Sequence, residues 1–319
     1  MMRLRSYLLL SSALVLLTAL SCTRETVPGA AGSLTICLET AEMETKAGGD
    51  ALQIAVVNAS GRVVARYPEG GSLVAESTVA FQNISSGTYT VYAVQASTPV
   101  AAFSSASTAS ALEALMASAT DGAPVYAEGG IPMSAKGTVR VNAGGNGQVN
   151  LDLQRVCARV SLSFVNETGE TITLSGCTVT LEQMNPQNGY LFGRAADYLT
   201  GSTPADLTLS HAGAISIEDM GRSDFARLSA LVFPSRAPAH RPGYRYLCST
   251  SFTIGDTQYA FTDLPVHDRR SADIQAVGRN QHLKIETRIG RKIEEEYLVS
   301  FHFEVADWVI EDPSFVWFH

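Results

Sequence analysis

The feature that most constrains the fold of this chain is a two-residue hydrophobic period that returns repeatedly between Ser33 and Asp307. In "SLTICLETAE" it places Leu34, Ile36 and Leu38 on one side of an extended backbone. In "STVAFQNISSGTYTVYAVQA" it places Tyr89, Val91 and Ala93 on one side, and Thr88, Thr90 and Tyr92 on the other. Successive side chains of a strand point to opposite faces, so such runs specify strands with one face toward a core. Turn residues punctuate them. Asn58–Gly61 separates two strands in "ALQIAVVNASGRVVARY", Asn83–Gly87 reads as the turn of a hairpin, and Gly144–Gly147 is a glycine turn further on. Only "ASTASALEALMASA" departs, with Ala111, Leu112, Leu115 and Met116 at helical spacing, and it predicts one short helix. Strand-like runs then resume in "ETITLSGCTVTLEQM", "YRYLCSTSFTIG", "RNQHLKIETRI" and "EEEYLVSFHFEVADWVI". Many short strands with regular turn signals predict an all-β chain of antiparallel β-sandwiches with one short helix, not a parallel α/β sheet.

The first residues obey a different rule. Arg3 and Arg5 precede an apolar run from Tyr7 to Leu20. As a helix that run reaches roughly 21 Å, short of the ~30 Å hydrocarbon layer, so it has the layout of a signal peptide and not of a span. It ends in Ala19-Leu20-Ser21-Cys22, which resembles the bacterial lipobox, where cysteine becomes the first mature residue and carries lipid on its sulfur. Several acyl chains at ~0.8 kcal/mol per buried methylene make such an anchor stable. Cys22 is therefore the expected lipidation site, and "TRETVPGAAG" the tether behind it.

The length left after the leader suits two ordinary domains. The expected division is 1–21 leader, 22–32 tether, 33–153 N-terminal sandwich and 154–319 C-terminal sandwich with a terminal strand. Hydrophobic residues make up 45% and charged residues 17%, which favours a packed core over disorder. The net charge of −8 argues against nucleic acid as a partner. Cys37, Cys157, Cys177 and Cys248 show no metal or redox spacing and are expected to be small buried hydrophobes, with a disulfide left open. "IEDMGRSD" offers Glu218, Asp219 and Asp224, but without the ligand-every-second-residue spacing of a calcium loop. His302 alternates with Phe301 and Phe303 and is expected on a solvent face. No nucleophile elbow, zinc motif or phosphate loop occurs. The chain therefore reads as non-enzymatic, with no catalytic residue, cofactor or metal ligand.

Several blocks, in order, resemble the FimA-like fimbrillins of Bacteroidales, the subunits of type V pili. "LTICLETAEMETKAGGDALQIAVVN" is similar to the family's first strand, protease-sensitive loop and second strand, and "LQRVCARVSLSF" to its interdomain motif, with Arg155 and Arg159 as the basic pair. "LFGRAADYLTGS" is similar to a block of the second domain. "VGRNQHLKIETRIG" and "FHFEVADWVIEDPSFVWF" are similar to the late strand and the closing tryptophan strand.

The resemblance implies two transthyretin-like β-sandwich domains and assembly by strand exchange at the cell surface. A precursor lipid-anchored to the outer membrane is cut by a trypsin-like surface protease after its first strand. A carboxy-terminal strand from another fimbrial subunit then fills the vacated groove. Here the cut falls between Lys46 and Ala47, where the family presents arginine, and the donor strand is Phe315, Val316, Trp317 and Phe318. Trp308 is instead expected in the last strand of the subunit's own second sandwich. An uncut anchor or tip subunit is a second reading. A surface lipoprotein binding a glycan or host protein through Tyr244, Tyr246 and Tyr259 is a third.

Overall fold

The computed structural model describes residues 31–39 and 51–308, apart from 76, 118, 121–122, 125–129, 187–188, 193–203, 224–227, 238–244, 269 and 271. In chain order the first elements are β1 (Gly32–Glu39), β2 (Ala51–Asn58), β3 (Val63–Tyr67), β4 (Ser72–Ala75), β5 (Thr78–Ile84) and β6 (Gly87–Ala96). Then follow α1 (Ala101–Ser105), α2 (Ala109–Glu113), β7 (Ala119–Thr120), β8 (Ala123–Pro124), β9 (Met133–Val141), β10 (Asn146–Asp152) and β11 (Gln154–Arg155). The later strands are β12 (Ala158–Glu167), β13 (Ile172–Asn185), β14 (Ala205–His211), β15 (Ile215–Ile217), β16 (Ser229–Val232) and β17 (Ser235–Arg236). The last are β18 (Leu247–Ile254), β19 (Thr257–Pro265), β20 (Ala276–Val277), β21 (Gln281–Ile293) and β22 (Glu296–Asp307).

The strands build two sandwiches. In the first, a sheet ordered β10-β1-β5-β4 faces one ordered β11-β9-β6-β2-β3. The alternation in the sequence is what closes it: Leu34, Ile36 and Leu38 of β1 meet Ile54 and Val56 of β2 and Tyr89, Val91 and Ala93 of β6 in one core. In the second, β16-β12-β21-β22 faces β14-β13-β18-β19, around Val160, Leu162, Phe164, Val179, Phe252 and Ile285. The two share a wiring. β1 runs parallel to β10 and antiparallel to β5, and β12 runs parallel to β21 and antiparallel to β16. The remaining ladders are antiparallel. β22 adds one further strand beyond β21.

Two details differ from the sequence expectation. The Asn83–Gly87 turn does not make a hairpin, because β5 pairs with β1 and β4 while β6 pairs with β2 and β9. The chain arches from one sheet to the other there, with Asn83 at φ 59 turning it. A turn motif marks the reversal but not whether the next strand pairs or crosses. The helical stretch forms α2, capped by Thr108, whose hydroxyl accepts from the Ala111 amide at 3.2 Å, and a second short helix, α1, precedes it. Among the described residues, no helix is long and apolar enough to cross a membrane.

Candidate functional site

β1 lies inside its sheet and not at an edge. Ile36 stands opposite Val79 of β5 on one side and Val149 of β10 on the other, and Leu34 and Leu38 stand opposite Phe81 and Leu151. All three apolar side chains of the strand are buried. Its other face carries polar rungs to β10: Asn150 Nδ2 donates to Glu39 Oε1 at 3.0 Å, and Gln148 Nε2 to Cys37 Sγ at 3.6 Å. Gly32 passes so close to the β9–β10 turn that a Cβ there would fall 2.3 Å from the Gly145 carbonyl oxygen, which requires glycine at that point. Taking β1 away would leave two unpaired strand edges flanking an apolar slot, an arrangement that seeks another strand.

Cys22, Lys46 and Ala47, and Phe315, Val316, Trp317 and Phe318 lie outside the described residues. β1 ends at Glu39 and β2 begins at Ala51, so Lys46 and Ala47 belong to the connection that alone ties β1 to β2.

Between the sandwiches lies a third cluster that the periodicity did not disclose. Ala55, Val57, Tyr92, Val94, Phe103 and Leu112 from the first sandwich and its helices pack with Leu191, Phe192, Phe233 and Trp308. Phe192 meets Tyr92 edge-on at 5.1 Å between ring centroids and Phe103 at 6.0 Å. The chain after β13 is tied to the first sandwich by backbone bonds, Ala117 N–H to the Gly189 carbonyl at 2.8 Å and Leu191 N–H to the Leu115 carbonyl at 2.9 Å. Trp308 follows β22 and joins this cluster, not the core of the second sandwich where the sequence placed it; it is 2% exposed. Its ring lies against the Arg155 guanidinium, 4.4 Å from carbon to centroid, with Arg159 at 6.0 Å. The signal that could have found this seam was aromatic residues, Phe103, Phe192 and Phe233, outside alternating runs.

The remaining candidates have structural explanations. Tyr246 is fully buried, its hydroxyl 2.7 Å from Ser235 Oγ, and Tyr259 is buried against Phe252. Neither forms the exposed loop aromatic that a binding face would need, and Tyr244 lies outside the described residues. Asp219 Oδ1 accepts from the Gly169 amide at 2.8 Å, and among the described residues no group of three or more His, Cys, Asp or Glu gathers to hold a metal. His302 is exposed on β22. The four described cysteines are free of disulfides, with Cys157, Cys177 and Cys248 buried and Cys37 half-buried. Burial pushes the Cys157 and Cys248 thiols up to about 12 and Cys177 to about 11, which makes them inert as nucleophiles at neutral pH.

Among the described residues, His282 is the one buried imidazole, and the fold keeps it neutral. Its Nε2 lies 2.7 Å from Ser161 Oγ across the β12–β21 ladder. Burial, with Arg159 and Lys284 nearby, pulls it down from 6.5 to about 4. Between those values the unfolded chain binds the proton and the folded one does not. The stability it contributes is therefore present above about pH 6.5 and lost as pH falls toward 4. The melting temperature is expected to fall between pH 6.5 and 4.5, and to fall less in His282→Asn; equal slopes in calorimetric melts would contradict this.

No family model matches the chain, and a search of curated proteins by sequence gives no match. Solved structures do resemble it. A protein assigned to cell adhesion from Bacteroides eggerthii superposes with a TM-score of 0.54 at 16% identity, over 89% of this chain and 98% of that one. The tip fimbrial protein Mfa3 of Porphyromonas gingivalis, truncated at its C-terminus, gives 0.52 at 16% identity over 87% and 99%. The fimbrilin FimA of the same organism gives 0.50 at 14% identity over 90% and 100%. Each is covered nearly end to end, so the likeness is to both sandwiches in their order. The chain carries the fold of the fimbrillin and cell adhesion proteins of Bacteroidales.

Proposed function

We propose that the chain is a structural subunit of surface fimbriae, non-enzymatic, exported as a lipoprotein and joined to its neighbours by β-strand exchange. The observation that carries this reading is the position of β1, a central strand whose apolar face fills the core and whose covalent link to β2 is one connection. In this reading Cys22 anchors the precursor to the outer membrane through lipid, within a leader at 1–21 and a tether at 22–32. Domains 33–153 and 154–319 act as acceptor and donor. A surface protease cuts between Lys46 and Ala47, β1 departs with the lipid, and Phe315, Val316, Trp317 and Phe318 of a neighbouring subunit enter the slot. In an extended tail two of these four side chains share the face that enters the slot, and at about 1.5–3 kcal/mol each they give a gross gain of roughly 3–6 kcal/mol before ordering is subtracted, to which the re-paired strand edges add. A lysine where the family presents arginine favours, as the second reading, an uncut anchor or tip subunit of the same fibre.

Removing Ser314–His319 is the test. The truncated precursor is expected to be exported, to melt like the full chain and to be missing from sheared surface fibres. A large loss of melting temperature would mean that the tail belongs to the subunit's own core.

A further inference from the structure

Trp308 is the last residue with a described position, and two separate parts of the chain hold it. Its amide donates to the Asn280 carbonyl at 2.8 Å, and the Asn280 amide donates in turn to the Cys157 carbonyl at 3.0 Å. Arg155 Nη1 donates to the Trp308 carbonyl at 2.8 Å and to Asn280 Oδ1 at 2.7 Å, while its guanidinium covers the indole face. Arg279 secures Arg155 from behind, its Nε donating to the Arg155 carbonyl at 3.3 Å and its Nη2 to Ser134 Oγ at 2.6 Å and the Gln154 carbonyl at 2.9 Å. Arg155 ends β11 of the first sandwich, and Asn280 immediately precedes β21 of the second. The point where β22 hands over to residues 309–319 is thus fixed to both sandwiches at once.

Packing alone does not account for these residue types. Arg155 is 3% exposed, and burying a guanidinium is unfavourable unless every partner is in place; an apolar side chain of similar length would fill the space more cheaply. The Trp308 Nε1–H is buried without a hydrogen-bond partner among the described residues, a further unfavourable term. What the charged group adds is directional: one donor pinned to a backbone carbonyl and a flat cation pinned to a ring.

We infer that Arg155 is a positioning residue for subunit joining. It clamps Trp308 so that the C-terminal segment 309–319 starts from a fixed place and direction, and pulling on that segment is borne by both sandwiches. The inference rests on the strand-exchange reading above, and the experiment separates the two.

The full chain with Trp317→Phe has Trp308 as its single tryptophan, since the sequence holds two. In that background Trp308 should emit in the blue and resist acrylamide quenching. There Arg155→Met should leave the melting temperature unchanged or higher, yet shift the emission to the red and raise the quenching constant several-fold; made in the chain that keeps Trp317, it should lower incorporation into surface fibres by roughly tenfold or more. Arg155→Lys, which keeps the charge but not the fork, should lie between. If Arg155→Met fails to fold, Asn280→Gly replaces it: Asn280 sits at φ 54, which glycine accepts, and the change removes only the side-chain acceptor. Unchanged quenching in a folded variant overturns the clamp. A released Trp308 with normal incorporation overturns its role in joining. Absence of the unaltered chain from fibres overturns the strand-exchange reading instead, while the quenching series still decides the clamp.

Discussion

Ile36→Asp is expected to unfold the first sandwich at temperatures where the unaltered chain is folded. Ile36 has no exposed surface and stands between Val79 and Val149 at the centre of the β10-β1-β5 ladder. Losing its burial removes about 1.5–3 kcal/mol, and an unpaired carboxylate in the same place costs several kcal/mol more, whether it stays charged or takes up a proton. The sum is comparable to the ~5–15 kcal/mol that holds an ordinary domain together. Gln148→Asp, on the exposed face of neighbouring β10, is the control and should change stability by about 0.5 kcal/mol or less. Thermal melts followed by near-UV circular dichroism check both; an Ile36→Asp chain that melts like the control would contradict the packing.

The same arithmetic bears on assembly. Leu34, Ile36 and Leu38 together contribute roughly 4.5–9 kcal/mol of gross burial, so a first sandwich stripped of β1 loses a sum of the order of its entire net stability. Such a domain persists only if another strand replaces the one it lost.

Phe192→Ala is the second large effect, and its consequence differs in kind. Phe192 is 1% exposed and fills the space between Tyr92, Phe103 and the rest of the seam. Truncating a buried phenylalanine costs about 3–5 kcal/mol, and here the loss falls on the contact between sandwiches and not on either core. One cooperative calorimetric transition should therefore become two, with the lower reporting the less stable sandwich on its own. Gly189→Val should act alike, because a Cβ at Gly189 would fall 2.0 Å from the Phe233 ring. A single transition shifted down as a unit would show that the sandwiches stay coupled without Phe192.

The strands were legible because burial on one face writes itself into the sequence with period two, as in β1 and β6. What lay beyond reach was pairing. Neither the arch at Asn83–Gly87 nor the parallel ladders β1–β10 and β12–β21 leave a local mark, since a strand's own residues do not record the direction of its neighbour. The seam was hidden for a related reason. Tyr92 lies on what looked like the polar face of β6, and Phe192 and Phe233 sit outside regular elements, so their shared burial follows from how two sandwiches meet. Arg155 and Trp308 were singled out by type and resemblance, but the hydrogen bond joining them spans 153 positions and is a property of the fold. Of the site itself, β1 was recognisable from Leu34, Ile36 and Leu38, whereas its central place in the sheet required β5 and β10.

The central claim is that the tail of one subunit occupies the slot of β1 in the next, and disulfide trapping in assembled fibres tests it most directly. Val79 faces Ile36 across the ladder, and side chains directly opposite on paired strands lie about 4.5–5.5 Å apart at Cβ, within reach of a disulfide. Val79→Cys would be combined in turn with cysteine at Phe315, Val316, Trp317 and Phe318, and sheared fibres oxidised and run without reductant. The account predicts a ladder of covalent multimers from the substitutions on one face of the tail and none from the other. Fibres that contain the protein yet yield only monomer from every combination would contradict it.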